Sequence, residues 1–239
     1  MFPIQPIYLF ADSQLLFHRQ DGAPFLQPIR EMIDKAEPKA AYIGASNRDN
    51  PEFFSIFEAA MDTVGIDDCR MIYANYMDED ARYLKEADII LLAGGDVEVG
   101  WQALETTGMR QEIIQRYYGG ALLMGVSAGA VQLGLRGWPG DNPSRQSVFE
   151  TFQLIPYVID AHDEKNEWRR LKSIVAGADR PLKGLGIPTG GGLLYHPDHT
   201  MEPIRQTLVE FSLDGEEVVQ TLLLPSEKDR SRGSNKEET

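Results

Sequence analysis

The chain has 239 residues, of which 42% are apolar and 25% charged, the composition of an ordinary globular protein. At this length roughly 70% of the unfolded chain's surface leaves water on folding, so a sizeable core forms without staples. The formal net charge of −14 repels phosphate backbones and anionic lipid surfaces. No long basic patch offsets it, which argues against nucleic-acid and membrane partners.

The opening segment MFPIQPIYLFAD has neither a basic n-region nor a small-residue cleavage site. No apolar run approaches the roughly 18 residues of a membrane span, so a cytoplasmic location is expected. Residues 1–225 read as one α/β domain. Residues 226–239 (SEKDRSRGSNKEET) contain no large apolar side chain and read as a disordered tail.

Short apolar runs at 7–11, 40–45, 71–74, 89–93 and 121–126 have the character of strands buried on both faces. Helical patterns separate them. Phe53, Phe54, Phe57, Ala60, Met61 and Val64 recur at helical spacing after Asn50-Pro51 and stop at Gly65. Met109, Ile113, Ile114 and Tyr117 repeat the pattern before Gly119-Gly120. Strand–helix–strand alternation predicts a mostly parallel sheet, with ligands beyond the carboxyl ends of its strands. Further on, 137–145 is a turn-rich loop, Trp168, Leu171, Ile174 and Val175 predict an amphipathic helix, and a late meander of strands follows Pro181. The single cysteine, Cys69, rules out an intrachain disulfide and reads as a buried small hydrophobe.

Chemistry concentrates at Gly125-Val126-Ser127-Ala128-Gly129-Ala130. A G-x-S-x-G sequence between a strand and a helix is a nucleophile elbow, with Ser127 projecting from the sheet edge and the Ala128 N–H free for an oxyanion. The same glycines also suit a plain strand-to-helix turn. Gly94-Gly95-Asp96, after another buried strand, offers backbone N–H groups to the same oxyanion; Asp96 equally suits a helix N-cap, and both can hold together. A serine nucleophile needs a base. Of four histidines, His162 in Asp160-Ala161-His162 ends an apolar stretch and opens a loop. His196 and His199, in H-P-D-H, lack a third metal ligand and read as a surface turn. His18 reads as structural.

These residues together resemble the aspartyl dipeptidase (peptidase E) and cyanophycinase family of serine peptidases. The features are GGD after one strand, GVSAGA after the next, D-x-H some 35 residues later and then Gly184-Leu185-Gly186-Ile187. The resemblance spans roughly residues 40–194. It implies a fold similar to the class I glutamine amidotransferases: a flavodoxin-like three-layer α/β sandwich around a mostly parallel sheet, with no metal or organic cofactor. It also implies hydrolysis of short peptides at aspartyl residues, with Ser127 as nucleophile, His162 as base and Gly95 and Asp96 as the oxyanion loop.

The sequence departs from that family at the third catalytic position. Thr189 stands where a glutamate is expected; Asp141 is the first substitute, and Asp160 and Asp198 are others. Without an orienting acid the rate would fall by about 10⁴. Arg170 and Lys172 match basic residues that would pair a substrate carboxylate, or else belong to a solvated helix face with pairs such as Glu167–Arg170. Asp12, Ser13 and Gln14, after the first strand, would bind a substrate amine or amide, or Asp12 or Ser13 would cap a helix starting at Gln14.

The first functional expectation is a serine hydrolase of a small peptide or related amide. The alternative is a catalytically impaired metabolite-binding or regulatory protein on the same fold. An α/β-hydrolase esterase fits poorly, since its histidine lies near the chain end and only His199 qualifies. A homodimer is the default assembly.

Overall fold

The computed structural model describes residues 3–140 and 147–226. The expected tail lies outside these residues except for Ser226. In chain order the elements are β1 (Ile7–Phe10), β2 (Arg19–Gln20), β3 (Ala23–Pro24), α1 (Gln27–Met32), β4 (Lys39–Ile43), α2 (Pro51–Asp62), β5 (Asp68–Ile72), α3 (Asp78–Leu84), β6 (Ile89–Leu92), α4 (Val97–Thr106), α5 (Met109–Tyr118) and β7 (Leu122–Val126). There follow α6 (Ala128–Leu133), β8 (Arg136–Gly137), β9 (Phe149–Glu150), β10 (Val158–Ala161), α7 (Arg169–Ala176), β11 (Gly184–Ile187), β12 (Gly192–Tyr195), β13 (Met201–Ile204), β14 (Leu208–Asp214) and β15 (Glu217–Leu223).

The main sheet runs β13-β12-β1-β7-β6-β4-β5. Its five central and outer strands from β1 to β5 are parallel; β12 and β13 add antiparallel to the other edge. Side chains alternate across it with the period of two that a pleated strand imposes. Ile7, Leu9, Ala41, Ile43, Ile90, Leu92 and Leu123 face one core with α3 to α6. Tyr8, Phe10, Ala40, Tyr42, Leu91 and Met124 face the other with α1, α2 and the 3-10 turn at Ser13–Phe17. The result is a three-layer α/β sandwich with a mostly parallel central sheet.

A second sheet, β10-β11-β14-β15, lies over the α6 side. Ile159, Ala161, Leu185 and Ile187 point into the first core, while Val158, Val209 and Phe211 pack on Leu171, Ile174 and Val175 of α7. The late meander is thus divided. Strands β12 and β13 complete the main sheet, β11 pairs in parallel with β10, and β14 and β15 close the second sheet.

Two element boundaries differ from expectation for physical reasons. The third apolar run, read as 71–74, begins earlier, at Asp68, because β5 is an edge strand whose first residues need no apolar cover. Cys69 is therefore half-buried rather than buried. The expected helix from Gln14 is a short 3-10 turn, capped by Asp12, whose carboxylate accepts from the Gln14 N–H at 2.9 Å.

Among the described residues, no helix is long and apolar enough to cross a membrane.

Candidate active site

The register of the parallel strands determines where the site lies. Phe10 is level with Val126, Leu92 with Gly125, and Ile43 with Leu92, so the chain leaves β1, β4, β6 and β7 along one edge. Ser127 follows β7 there, with its N–H bonded to the Phe10 carbonyl at 2.9 Å. Its backbone sits at φ 49°, ψ −108°, outside the usual regions for an L-residue. The flanking glycines allow this turn. A Cβ on Gly125 would meet the Gly129 carbonyl carbon at 2.6 Å, and one on Gly129 would meet the Leu92 oxygen at 2.1 Å.

His162 arrives from the second sheet. Ala161 of β10 pairs with Ile187 of β11, and the His162 N–H bonds the Ile187 carbonyl at 2.9 Å. Beyond the strand end His162 adopts φ 48°. Both residues thus hold backbone conformations that L side chains seldom take, a kind of strain that clusters at functional sites. Their side chains meet: Ser127 Oγ is 2.8 Å from His162 Nε2. Among the described residues, no hydrogen-bond acceptor faces the other ring nitrogen.

One acid whose charge couples to His162 has no motif in the sequence to mark it. Glu164, in the turn after His162, accepts from the Thr189 hydroxyl at 2.6 Å and from the Thr189 N–H at 3.3 Å. Its second oxygen, Oε2, is buried without a hydrogen-bond partner. Burial raises the Glu164 carboxyl, but the Thr189 hydroxyl, backbone N–H groups and the charge of His162 outweigh it and leave the group below the ordinary carboxylate range. Glu164 is therefore ionised close to the imidazole, and Thr189 occupies the expected glutamate's place by holding another glutamate.

The other expected acids lie elsewhere. Asp141 lies outside the described residues. Asp160 is 1% exposed and paired with Arg170 at 2.6 and 3.2 Å; burial pushes its carboxyl up and the guanidinium opposes that. Asp198 accepts from Thr200 within the turn joining β12 and β13. Neither of these two contacts the His162 ring.

Of the three expected oxyanion groups, Asp96 is corrected. Its N–H donates to the Ser46 carbonyl at 2.8 Å, and its side chain caps α4 through the Val99 N–H at 3.0 Å. Gly95 and Ala128 both line the cleft beside Ser127, and Ala128 opens α6, where an N–H has no partner within the helix.

Most of the remaining expected residues are engaged in contacts within the fold. Both Asp12 oxygens accept backbone N–H groups, from Gln14 and, at 2.7 Å, from Gly190, so Asp12 ties the β11–β12 loop to β1. Gln14 is exposed at that junction. Arg170 faces the cleft but is clamped by Asp160 and lies over the Trp138 ring at 5.1 Å. His199 bonds Tyr195 at 2.6 Å and His196 lies 3.4 Å from Glu202, within a turn; His18 packs against Phe25. Among the described residues no group of three or more His, Cys, Asp or Glu side chains is arranged to hold a metal.

Two hollows meet at Ser127 and His162. One, of about 260 Å³, is mostly apolar and runs under α2. The other, of about 490 Å³, is polar and runs past Asp163, Asn166 and Arg170.

The chain also has recognisable relatives. The profile of Peptidase family S51 matches residues 10–202. A crystal structure of a peptidase from an acI-B1 Actinobacterium is 19% identical, with a TM-score of 0.65 over 91% of this chain and 97% of that one. A candidate peptidase E protein from Listeria monocytogenes EGD-e is 15% identical, with a TM-score of 0.55 over 93% of this chain and 100% of that one. At these identities the two structures speak to the fold, which they share with this chain. No curated protein sequence is similar to it at a significant level. With four-fifths of its length matched by that profile, the chain belongs to peptidase family S51 and is a serine peptidase.

Proposed function

We propose that the chain hydrolyses a small peptide or related amide with Ser127 as nucleophile and His162 as general base. The observation that carries this reading is the 2.8 Å contact between Ser127 Oγ and His162 Nε2 at the elbow of a parallel sheet. As Oγ bonds to the scissile carbonyl carbon, its proton passes to Nε2 and the carbonyl π pair moves onto oxygen. The Gly95 and Ala128 N–H groups face that oxygen. Collapse of the intermediate breaks the C–N bond, and the imidazolium returns the proton to the departing amine. Water repeats the sequence on the acyl-serine and frees the acid.

Glu164 supplies the negative charge that the imidazolium needs. Thr189 holds one carboxylate oxygen, and the other, Oε2, is buried without a hydrogen-bond partner. It is a positioning and electrostatic group, acting on His162 rather than on substrate. A non-catalytic binder would draw on the lack of a direct acceptor at the second ring nitrogen; the ionised Glu164 nearby and the strained serine favour the enzyme.

The test is hydrolysis of a dipeptide panel. Ser127→Ala and His162→Ala each lower kcat/KM by about 10³ or more, and the double variant is no slower than either alone, because the two residues act as a unit. Hydrolysis that survives both substitutions contradicts the proposal.

A further inference from the structure

The hollow under α2 adjoins the nucleophile. Its walls are Ala11 and Leu16, the rings of Tyr42 and Phe57, and the solvent-reaching Phe53 and Ile56, with Ser127 and the exposed His162 also lining it. At about 260 Å³ it exceeds the roughly 150 Å³ that accommodates benzene in an apolar protein cavity. Among the described residues no lysine or arginine lines it; Arg48 follows the lining residue Asn47 but does not line it. The ionisable groups that do are Asp12, Tyr42 and His162. Burial pushes the Tyr42 hydroxyl up to about 12, so it is neutral, and its oxygen accepts from the Asn47 amide at 2.7 Å. Asp12 is the carboxylate among the described lining residues.

The mouth is equally telling. Phe53 is 49% exposed and Ile56 half-buried, one helical turn apart on α2, so large apolar side chains face water beside the nucleophile. On the polar side the Arg170 guanidinium is already taken by Asp160, while Asp96 and Asp163 add negative charge, and one Asp163 oxygen is buried without a partner.

We infer, resting on the serine-hydrolase reading above, that this site takes an aliphatic or aromatic side chain of leucine or phenylalanine size beside the scissile bond, and not the aspartyl side chain its family resemblance implies. An aspartate in this hollow would lose its hydration with no cation among the described lining residues to replace it, and would meet Asp12 there. An apolar side chain fills it and covers Phe53 and Ile56.

The test begins with binding to Ser127→Ala, which needs no turnover. N-acetyl-phenylalanine amide and N-acetyl-leucine amide bind this protein at least about tenfold more tightly than N-acetyl-aspartate α-amide, the scale on which apolar pockets discriminate. Adding Phe53→Arg, at the exposed mouth, narrows that ratio by about tenfold by giving the carboxylate a partner. Equal or tighter aspartate binding overturns the inference, as does an unchanged ratio in the Phe53→Arg protein, which would place the ligand elsewhere. The wild type is then assayed on dipeptides carrying Phe, Leu or Asp in either position. Apolar binding without cleavage of any dipeptide leaves the pocket assignment standing and removes the hydrolase reading. Cleavage with Asp preferred in both positions removes the pocket assignment and leaves the hydrolase.

Discussion

Glu164 accepts the Thr189 hydroxyl proton at 2.6 Å across 25 residues of sequence. The contact exists because β10 and β11 run side by side, so the turn after His162 and the turn after Ile187 leave their sheet together. It holds an ionised carboxylate, whose charge couples to that of His162, in a chain whose expected glutamate position is a threonine. Glu164→Gln removes the charge while keeping the shape, and is expected to lower kcat by about 10², at the lower end of what an oriented base contributes. Thr189→Glu in the Glu164→Gln background restores a carboxylate from the other strand and recovers part of the loss. Steady-state kinetics of the three proteins check this; Glu164→Gln with undiminished kcat refutes it.

The same carboxylate couples stability to pH. Its folded-state pKa is depressed, so its contribution is full above the ordinary glutamate value and disappears as pH falls through the depressed one. The gap in melting temperature between wild type and Glu164→Gln therefore shrinks as the pH is lowered from about 6 towards 3. A constant gap across that range contradicts the assignment.

Arg170 and Asp160 form a pair that is tightly held and almost out of water, with Asp160 1% exposed. Arg170→Ala strands the carboxylate and costs about 3–5 kcal/mol, seen as a large fall in unfolding midpoint, and Asp160→Ala in that background recovers part of it. If Arg170 served chiefly to grip substrate, Arg170→Ala would raise KM and leave the midpoint in place.

The elbow predicts a steric intolerance. A Cβ on Gly129 would lie 2.1 Å from the Leu92 oxygen in the next strand, and both partners are backbone. Gly129→Ala is expected to destabilise by about 3 kcal/mol or more, the upper range for overpacking. A variant that melts with the wild type shows that α6 shifts away freely.

Cys69 is expected to be inert in the folded chain. Burial, then the negative charges of Glu58, Asp68, Asp67 and Asp62, push its thiol up to about 12. At pH 8 only about one molecule in ten thousand carries the thiolate, and the thiolate is the reactive species. Iodoacetamide labels it slowly in the native protein and readily in urea. Fast native labelling contradicts this environment.

What the sequence makes legible follows from how each feature is encoded. Strands β1, β4, β6 and β7 are buried on both faces and so read as continuous apolar runs, and Ser127 sits between glycines required by close backbone contacts, Gly125 with Gly129 and Gly129 with Leu92 of the neighbouring strand. The second sheet is harder to see, since Gly184 and Gly186 in β11 leave room for Leu171 and Trp168 and interrupt the apolar pattern. In the sequence Asp96 suits two roles; only the fold shows its N–H already bonded to Ser46. Glu164 carries no signal of its own, because a carboxylate two residues after a histidine gains meaning only through Thr189 on a neighbouring strand. The exposed Phe53 reads as part of a core stripe, though its i, i+3 relation to Ile56 widens the apolar face of α2 beyond what the core covers.

The account rests on an activated Ser127, and the most direct measurement is covalent capture by a fluorophosphonate probe, read by intact mass and by sequencing the labelled peptide. One adduct on Ser127 in the wild type, absent in Ser127→Ala and His162→Ala, is the predicted result. A folded wild-type protein that carries no adduct on Ser127, or that labels equally without His162, contradicts it.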